Sequence, residues 1–235
     1  EAEIDELLPP EDAKAFKYCY DVTAEGNWEG SNILNRPKPH GEAAKVLKTS
    51  EQELEQRLAR CRQILLEARE QRVKPGRDDK VLVAWNGWMI SALALASQVL
   101  GESRYADAAT RAADFIVGQM RDTEGRLRHS YKDGQARFDA YLDDYAGLIE
   151  GLCDLYQAGF EVRHLESARE LAGDMLGRFA DREQGGFYYT ADDHEELITR
   201  TRDAQDNATP SGNTPAATAL LKLGRLCGET AWLDE

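Results

Sequence analysis

Trp85-Asn86-Gly87-Trp88-Met89-Ile90-Ser91-Ala92-Leu93-Ala94-Leu95-Ala96 runs on to Leu100 without a charged residue, in a chain that is 31% charged overall. A run of about 16 residues falls short of the roughly 20 apolar residues that span a bilayer. It also carries Ser91, Ser97 and Gln98. The pattern predicts a helix buried on more than one side and packed among other helices.

Working outward, the same unit recurs. The apolar helix is followed by an amphipathic one, with Tyr105, Ala108, Ala109, Ala112 and Ile116 on one side. A turn at Asp122-Thr123-Glu124-Gly125 then precedes a short strand over Arg126-Leu127-Arg128-His129-Ser130-Tyr131. A second copy begins at Asp143-Asp144-Tyr145, with Tyr145, Leu148, Ile149, Leu152, Leu155 and Tyr156 marking its first helix. Leu165, Ala168, Ala172, Met175, Leu176 and Phe179 mark the second, and Phe187-Tyr188-Tyr189-Thr190 matches the strand. The offset between copies is about 59 residues, in the range of helical-repeat architectures. A third copy starts at Ser211-Gly212-Asn213-Thr214-Pro215 and runs towards Cys227. A hairpin that cannot bury its own apolar side must stack on its neighbours. Inner helices that are nearly apolar all round, paired with amphipathic outer ones, favour an all-α partial α/α toroid with short β-hairpin pieces. An open helical array is the competing architecture.

Upstream, Ser50 and Glu53 have capping-box spacing, and Leu54, Leu58, Cys61, Leu65 and Ala68 give a helical stripe that Pro75-Gly76 ends. Residues 1–49 read as a lead-in segment and 50–235 as helical hairpins, the last one truncated, within a single domain 1–235. The chain starts without Met and stops at Trp232-Leu233-Asp234-Glu235 as a new element begins, which is expected of a piece of a longer protein.

Composition narrows the function. The 29 Lys+Arg against 43 Asp+Glu give a net charge of -14, which disfavours nucleic acid and anionic membranes as partners. Cys19, Cys61, Cys153 and Cys227 form no C-x-x-C pair, so neither a zinc site nor a dithiol redox motif is expected, and no metal or cofactor is predicted. The absence of a signal or anchor pattern points to the cytoplasm. No nucleotide-binding, serine-hydrolase or zinc-protease motif occurs.

In a ring, the loops leading into the inner helices open on one end. There the sequence places Asp78, Asp79, Trp85 and Asn86, then Asp143, Asp144 and Tyr145, then Asp206, Asn207, Ser211 and Asn213. Carboxylates, amides and hydroxyls beside aromatic rings suit a neutral polyhydroxyl ligand such as a sugar. The competing role is helix capping, since Asp, Asn and Ser are favoured N-caps. Asp143 and Asp144 diverge on a helix, so one is expected to cap while the other reaches the cavity. Paired carboxylates serve glycoside hydrolysis, with Glu29, Asp79, Asp144 and Asp206 as the candidate catalytic acids. Asn27, Trp85, Asn86, Tyr145, Asn207, Ser211 and Asn213 are the candidate substrate-binding residues. A sugar epimerase would want a histidine. His129, His194 and His40 occupy surface-like positions and are predicted to be inert.

Gly26-Asn27-Trp28-Glu29-Gly30-Ser31-Asn32-Ile33-Leu34, Asp78-Asp79-Lys80-Val81-Leu82, Trp85-Asn86-Gly87, Tyr141-Leu142-Asp143-Asp144-Tyr145-Ala146, Gly185-Gly186-Phe187-Tyr188-Tyr189-Thr190 and Pro210-Ser211-Gly212-Asn213 resemble the thioredoxin-domain-containing spermatogenesis-associated protein family. The resemblance covers nearly the whole chain in order. It departs at Trp28, where phenylalanine is usual, at Val83, commonly threonine, and at Thr214, commonly serine. It implies a toroid like that of six-hairpin glycosidases and N-acylglucosamine 2-epimerases, preceded in the full-length protein by a thioredoxin-like domain that is absent here. The implied function is a carbohydrate-binding or carbohydrate-active domain, a sugar hydrolase or epimerase. The alternative is a non-catalytic interaction module accompanying the thioredoxin-like domain.

Overall fold

The computed structural model describes residues 1–194, 199–203 and 205–233, which group into two units, Glu1–Arg77 and Asp78–Glu235. The first unit holds α1 (Ala2–Leu7), α2 (Pro10–Cys19), α3 (His40–Val46) and α4 (Glu51–Glu70). Pro10 opens α2, where its missing N–H costs nothing. Ser50 and Glu53 form the expected capping box at the start of α4. Leu54, Leu58 and Cys61 of α4 are buried against Phe16, Cys19, Ala43 and Ala44, forming a core of the unit's own. The helix ends at Glu70, ahead of Pro75-Gly76, and it groups with residues 1–49 in the first unit.

The second unit follows the repeat. β1 (Val81–Leu82) leads into α5 (Val83–Leu100) and α6 (Ser103–Gln119). A hairpin of β2 (Arg128–Lys132) and β3 (Gln135–Asp139) turns through Asp133-Gly134, and α7 (Leu142–Gly159) and α8 (Val162–Phe179) follow. Last comes α9 (Asn213–Cys227). The three strands form one antiparallel sheet in the order β1-β2-β3. In the second copy, the strand expected at 187–190 shrinks to a single bridge, Ala180 to Phe187, the counterpart of Arg121 to Leu127 in the first. The inner helices are α5, α7 and α9, with α7 in the middle, and α6 and α8 lie outside them. This is the partial α/α toroid, with all four cysteines as free thiols.

The helix buried on several sides turns out to be α7, not α5. Tyr145, Leu148, Ile149, Leu152 and Cys153 of α7 are sealed in the core. On α5, Ile90 and Ala94 are buried, while Trp85, Met89, Leu95, Val99 and Leu100 are exposed. The middle helix has neighbours on both sides, whereas α5 begins the row. Among the described residues α5 is the one helix long and apolar enough to cross a membrane, yet its Gly87-Ile90-Ala94 face packs into protein.

What sets the approach of α5 to α7 is the absence of side chains. A Cβ on Gly87 would lie 2.4 Å from the carbonyl carbon of Gly147, and one on Gly151 would lie 2.5 Å from the carbonyl oxygen of Gly87. Gly147 and Gly151 are one helical turn apart, so they present a single bare face. Gly87→Ala is therefore expected to cost about 2 kcal/mol or more by forcing two backbones apart. Gly118→Ala in α6, where the added methyl meets open space, is expected to stabilise by about 0.5–1 kcal/mol. Urea unfolding of the two variants compares them directly.

Candidate functional site

The close contact of α5 and α7 brings their N-termini together around one carboxylate. Asp144, 1% exposed, accepts at Oδ1 from the backbone N–H of Ala84 at 3.0 Å. At Oδ2 it accepts from the N–H of Tyr141 at 2.9 Å and from His129 Nδ1 at 2.8 Å. It thus caps its own helix, α7, and the neighbouring α5, and it anchors a histidine of β2. A buried carboxylate is tolerable only with such partners. The hydrogen bond to Asp144 raises the pKa of His129 above the ordinary histidine value, against the opposing effect of burial. With Nδ1 engaged, Nε2 is the nitrogen left for chemistry.

Beside this node lies a pocket of about 210 Å³ lined by Leu82, Ala84, Trp85, Trp88, His129, Tyr141, Asp143, Asp144, Tyr189 and Thr209. Asp143 follows the logic of adjacent helical residues: with Asp144 turned inward, its own side chain faces elsewhere, here onto the pocket. Its Oδ1 is shielded from solvent and has no hydrogen-bond partner among the described residues. Burial, then the negative charges of Asp144 and Asp203, push the Asp143 carboxyl up to about 6. Burial, then the charges of Asp143 and Asp144, push the Tyr189 phenol up to about 12, so it stays a neutral donor. Tyr189 stacks on Tyr141 at 5.0 Å between centroids, and His129 meets the edge of Tyr141 at 5.2 Å. Trp85 is 63% exposed at the pocket.

The sequence candidates scatter. Asp144 and Trp85 line the pocket. Tyr145 does not: it is 1% exposed and packs on Phe179 in the core, because it falls on the opposite side of α7. Asn86 turns its amide back onto the Leu82 carbonyl at 2.8 Å. Asp79 pairs with Lys132 at 3.0 Å outside the pocket lining. Asp206 accepts from the Ser211 N–H at 2.9 Å, and Asn207 is exposed in the same loop. Asn213 grips the backbone of Phe187 at both its N–H and its carbonyl, and reaches the carbonyl of Asp203 as well. These groups tie the loop before α9 to its surroundings without capping the helix, whose N-cap is Gly212. Asn27 and Glu29 lie in the first unit, where Asn27 staples the carbonyls of Asp21 and Ile33, and Glu29 sits exposed in a turn. The pocket residues that sequence reading left unselected are Asp143, His129, Tyr141, Tyr189 and Trp88. The adjacent pair Asp143-Asp144 was the available signal, but the choice between the two needed the cap geometry.

The raised carboxyl of Asp143 has a consequence for stability. An acid that is harder to ionise when folded contributes no penalty below the unfolded value near 4, and the penalty grows as pH rises through about 6. Asp143→Asn should therefore be about 1 kcal/mol more stable than the parent at pH 8, discounted for the group's partial exposure. The two should be nearly equal at pH 4. Paired thermal melts at the two values check the sign.

No model of a known protein family matches the chain. Human spermatogenesis-associated protein 20 is 36% identical over 181 residues, 73% of this chain and 23% of its own length. An uncharacterized protein of Caenorhabditis elegans is 31% identical over 206 residues, covering 84% of this chain and 28% of its own. The chain thus spans about a quarter of the length of these curated relatives. Among solved structures, a sugar epimerase from a ruminal bacterium superposes with a TM-score of 0.57 at 19% identity, over 69% of this chain and 43% of that one. The α-1,6-mannanase of Salegentibacter superposes with a TM-score of 0.53 at 15% identity, over 99% and 67%. That enzyme is also known as an inactive variant, with two neighbouring aspartates changed to asparagine, in complex with α-1,6-mannotriose. At such identities the likeness establishes the fold alone.

Proposed function

The chain belongs to the spermatogenesis-associated protein family and folds as part of an α/α toroid, and from that premise we propose that its pocket holds one ring of a sugar and transfers protons on it. The observation that carries this reading is the convergence of Asp143 and His129 on a pocket walled by aromatic rings. A volume of about 210 Å³ lies below the roughly 300–1,000 Å³ of drug-sized sites, as a single sugar ring requires. Trp85 and Trp88 offer apolar faces, and Tyr189 a hydroxyl that stays protonated.

The pKa directions assign the roles. Between about 6 and the raised value of His129, Asp143 is ionised and His129 is protonated. Asp143 is then the general base and His129 Nε2–H the general acid. On an open-chain aldose, Asp143 takes the proton from the carbon next to the carbonyl while His129 gives its proton to the carbonyl oxygen, forming an enediol. Asp143 returns its proton to the former carbonyl carbon while the neighbouring enediol hydroxyl gives its proton to His129, which completes an aldose–ketose isomerisation and restores both groups. Asp144 takes no part in the bond changes; it positions His129.

Hydrolysis is the second reading, favoured by the paired aspartates of the mannanase relative in fold. Here Asp144 is buried and already accepts three hydrogen bonds, which ties up the oxygens it would need to attack a sugar or a water.

Reducing sugars incubated with the protein in D2O and followed by proton NMR test the proposal. The expected result is deuterium at the carbon beside the carbonyl, with a rate that rises through about pH 6 as Asp143 ionises and falls again where His129 loses its proton. Asp143→Asn and His129→Gln should each slow the exchange by about 100-fold or more. Absence of exchange across an aldose and ketose panel, or variants as fast as the parent, would overturn it.

A further inference from the structure

Gly212 stands at the start of α9, the third inner helix, and its carbonyl accepts from the N–H of Ala216 at 3.1 Å. Its backbone is ordinary: φ of -55° and ψ of -30° suit any residue. Conformational freedom is therefore not what a glycine supplies here. Space is. A Cβ at Gly212 would lie 2.4 Å from Asp143 Oδ1, and 2.8 Å from Cδ2 and 3.1 Å from Cγ of Leu142. The atom it would strike is the same Asp143 oxygen that is shielded from solvent and lacks a hydrogen-bond partner. Gly212 itself is buried. The bare Cα of Gly212 is thus part of what covers that oxygen.

We infer that Gly212 is a positioning residue for Asp143, so that the third hairpin, through the missing side chain at its first turn, sets the placement and desolvation of the acid in a pocket built largely by the first two. The inference rests on the reading of Asp143 as the base for its importance, though its geometry stands apart from any sugar. Three charged groups act on Asp143 directly: Asp144 and Asp203 disfavour its ionisation and His129 favours it. Asp206 is not among them. It acts one step away, where its Oδ1 accepts from the Ser211 N–H and its hydroxyl neighbour Thr214 lies 3.4 Å off. This loop fixes where α9 begins.

Carbon-13 NMR titration of the Asp143 carboxyl in the 235-residue chain, assigned by its disappearance in Asp143→Asn, tests the inference. In Gly212→Ala the new methyl pushes the carboxylate off α9 and into water. Its proton affinity should fall about tenfold, one unit of pKa. Asp206→Ala, which frees the Ser211 N–H without removing a charge that Asp143 feels directly, should move the titration in the same direction by less. It provides the reading if Gly212→Ala does not fold. An Asp143 titration unchanged in both variants overturns the inference. The sugar reading fails separately: a shifted titration with no exchange in D2O would leave the positioning role standing and remove the proposed chemistry, while exchange with an unmoved titration would do the reverse.

Discussion

The close contact between α5 and α7 governs the second unit. Gly87 meets Gly147 and Gly151 at a distance no side chain permits, and this places two helix N-termini side by side. Each N-terminus brings N–H groups without intrahelical partners. One carboxylate, Asp144, satisfies one from each and takes the imidazole of His129 as a third partner. Removing a partner from a buried ion pair typically costs about 3–5 kcal/mol, so the node is both a structural lock and an orienting device.

The functional arrangement follows from that lock. Because Asp144 is consumed by capping, Asp143 is the carboxyl left for the pocket, and burial leaves it poised near neutrality. Because His129 is held through Nδ1, its other nitrogen is free and its protonated form is favoured. An acid that burial makes easier to protonate beside a histidine that its partner keeps protonated is the pairing on which the proposed proton transfer rests. The third hairpin adds its own control through Gly212, and its polar residues Asp206, Ser211 and Asn213 serve to seat α9.

Much of this fold is legible in the sequence. The alternation of nearly apolar and amphipathic helices gives the hairpin repeat, and the Ser50-Glu53 box marks the start of α4. The site is less legible, for reasons that are physical. Asp, Asn and Ser at helix starts serve as caps or as ligands with the same residue types, and only geometry separates the two roles. Asn213 and Asn27 are drawn into backbone contacts, and Tyr145 points into the core by its place on the helix. His129 looks inert on a short strand because its partner is fifteen residues away across a turn. Gly147 and Gly151 share a helix face by their spacing, but that this face meets Gly87 comes from a contact between distant segments.

The Asp144 carboxylate joins α5, α7 and His129, and NMR titration of the His129 imidazole in Asp144→Asn probes that junction. The amide cannot accept all three hydrogen bonds or carry the charge. The His129 pKa should fall from its raised position to the ordinary histidine value or below, and unfolding should cost about 3 kcal/mol less than in the parent. A His129 that titrates as before, in a protein of unchanged stability, would contradict it.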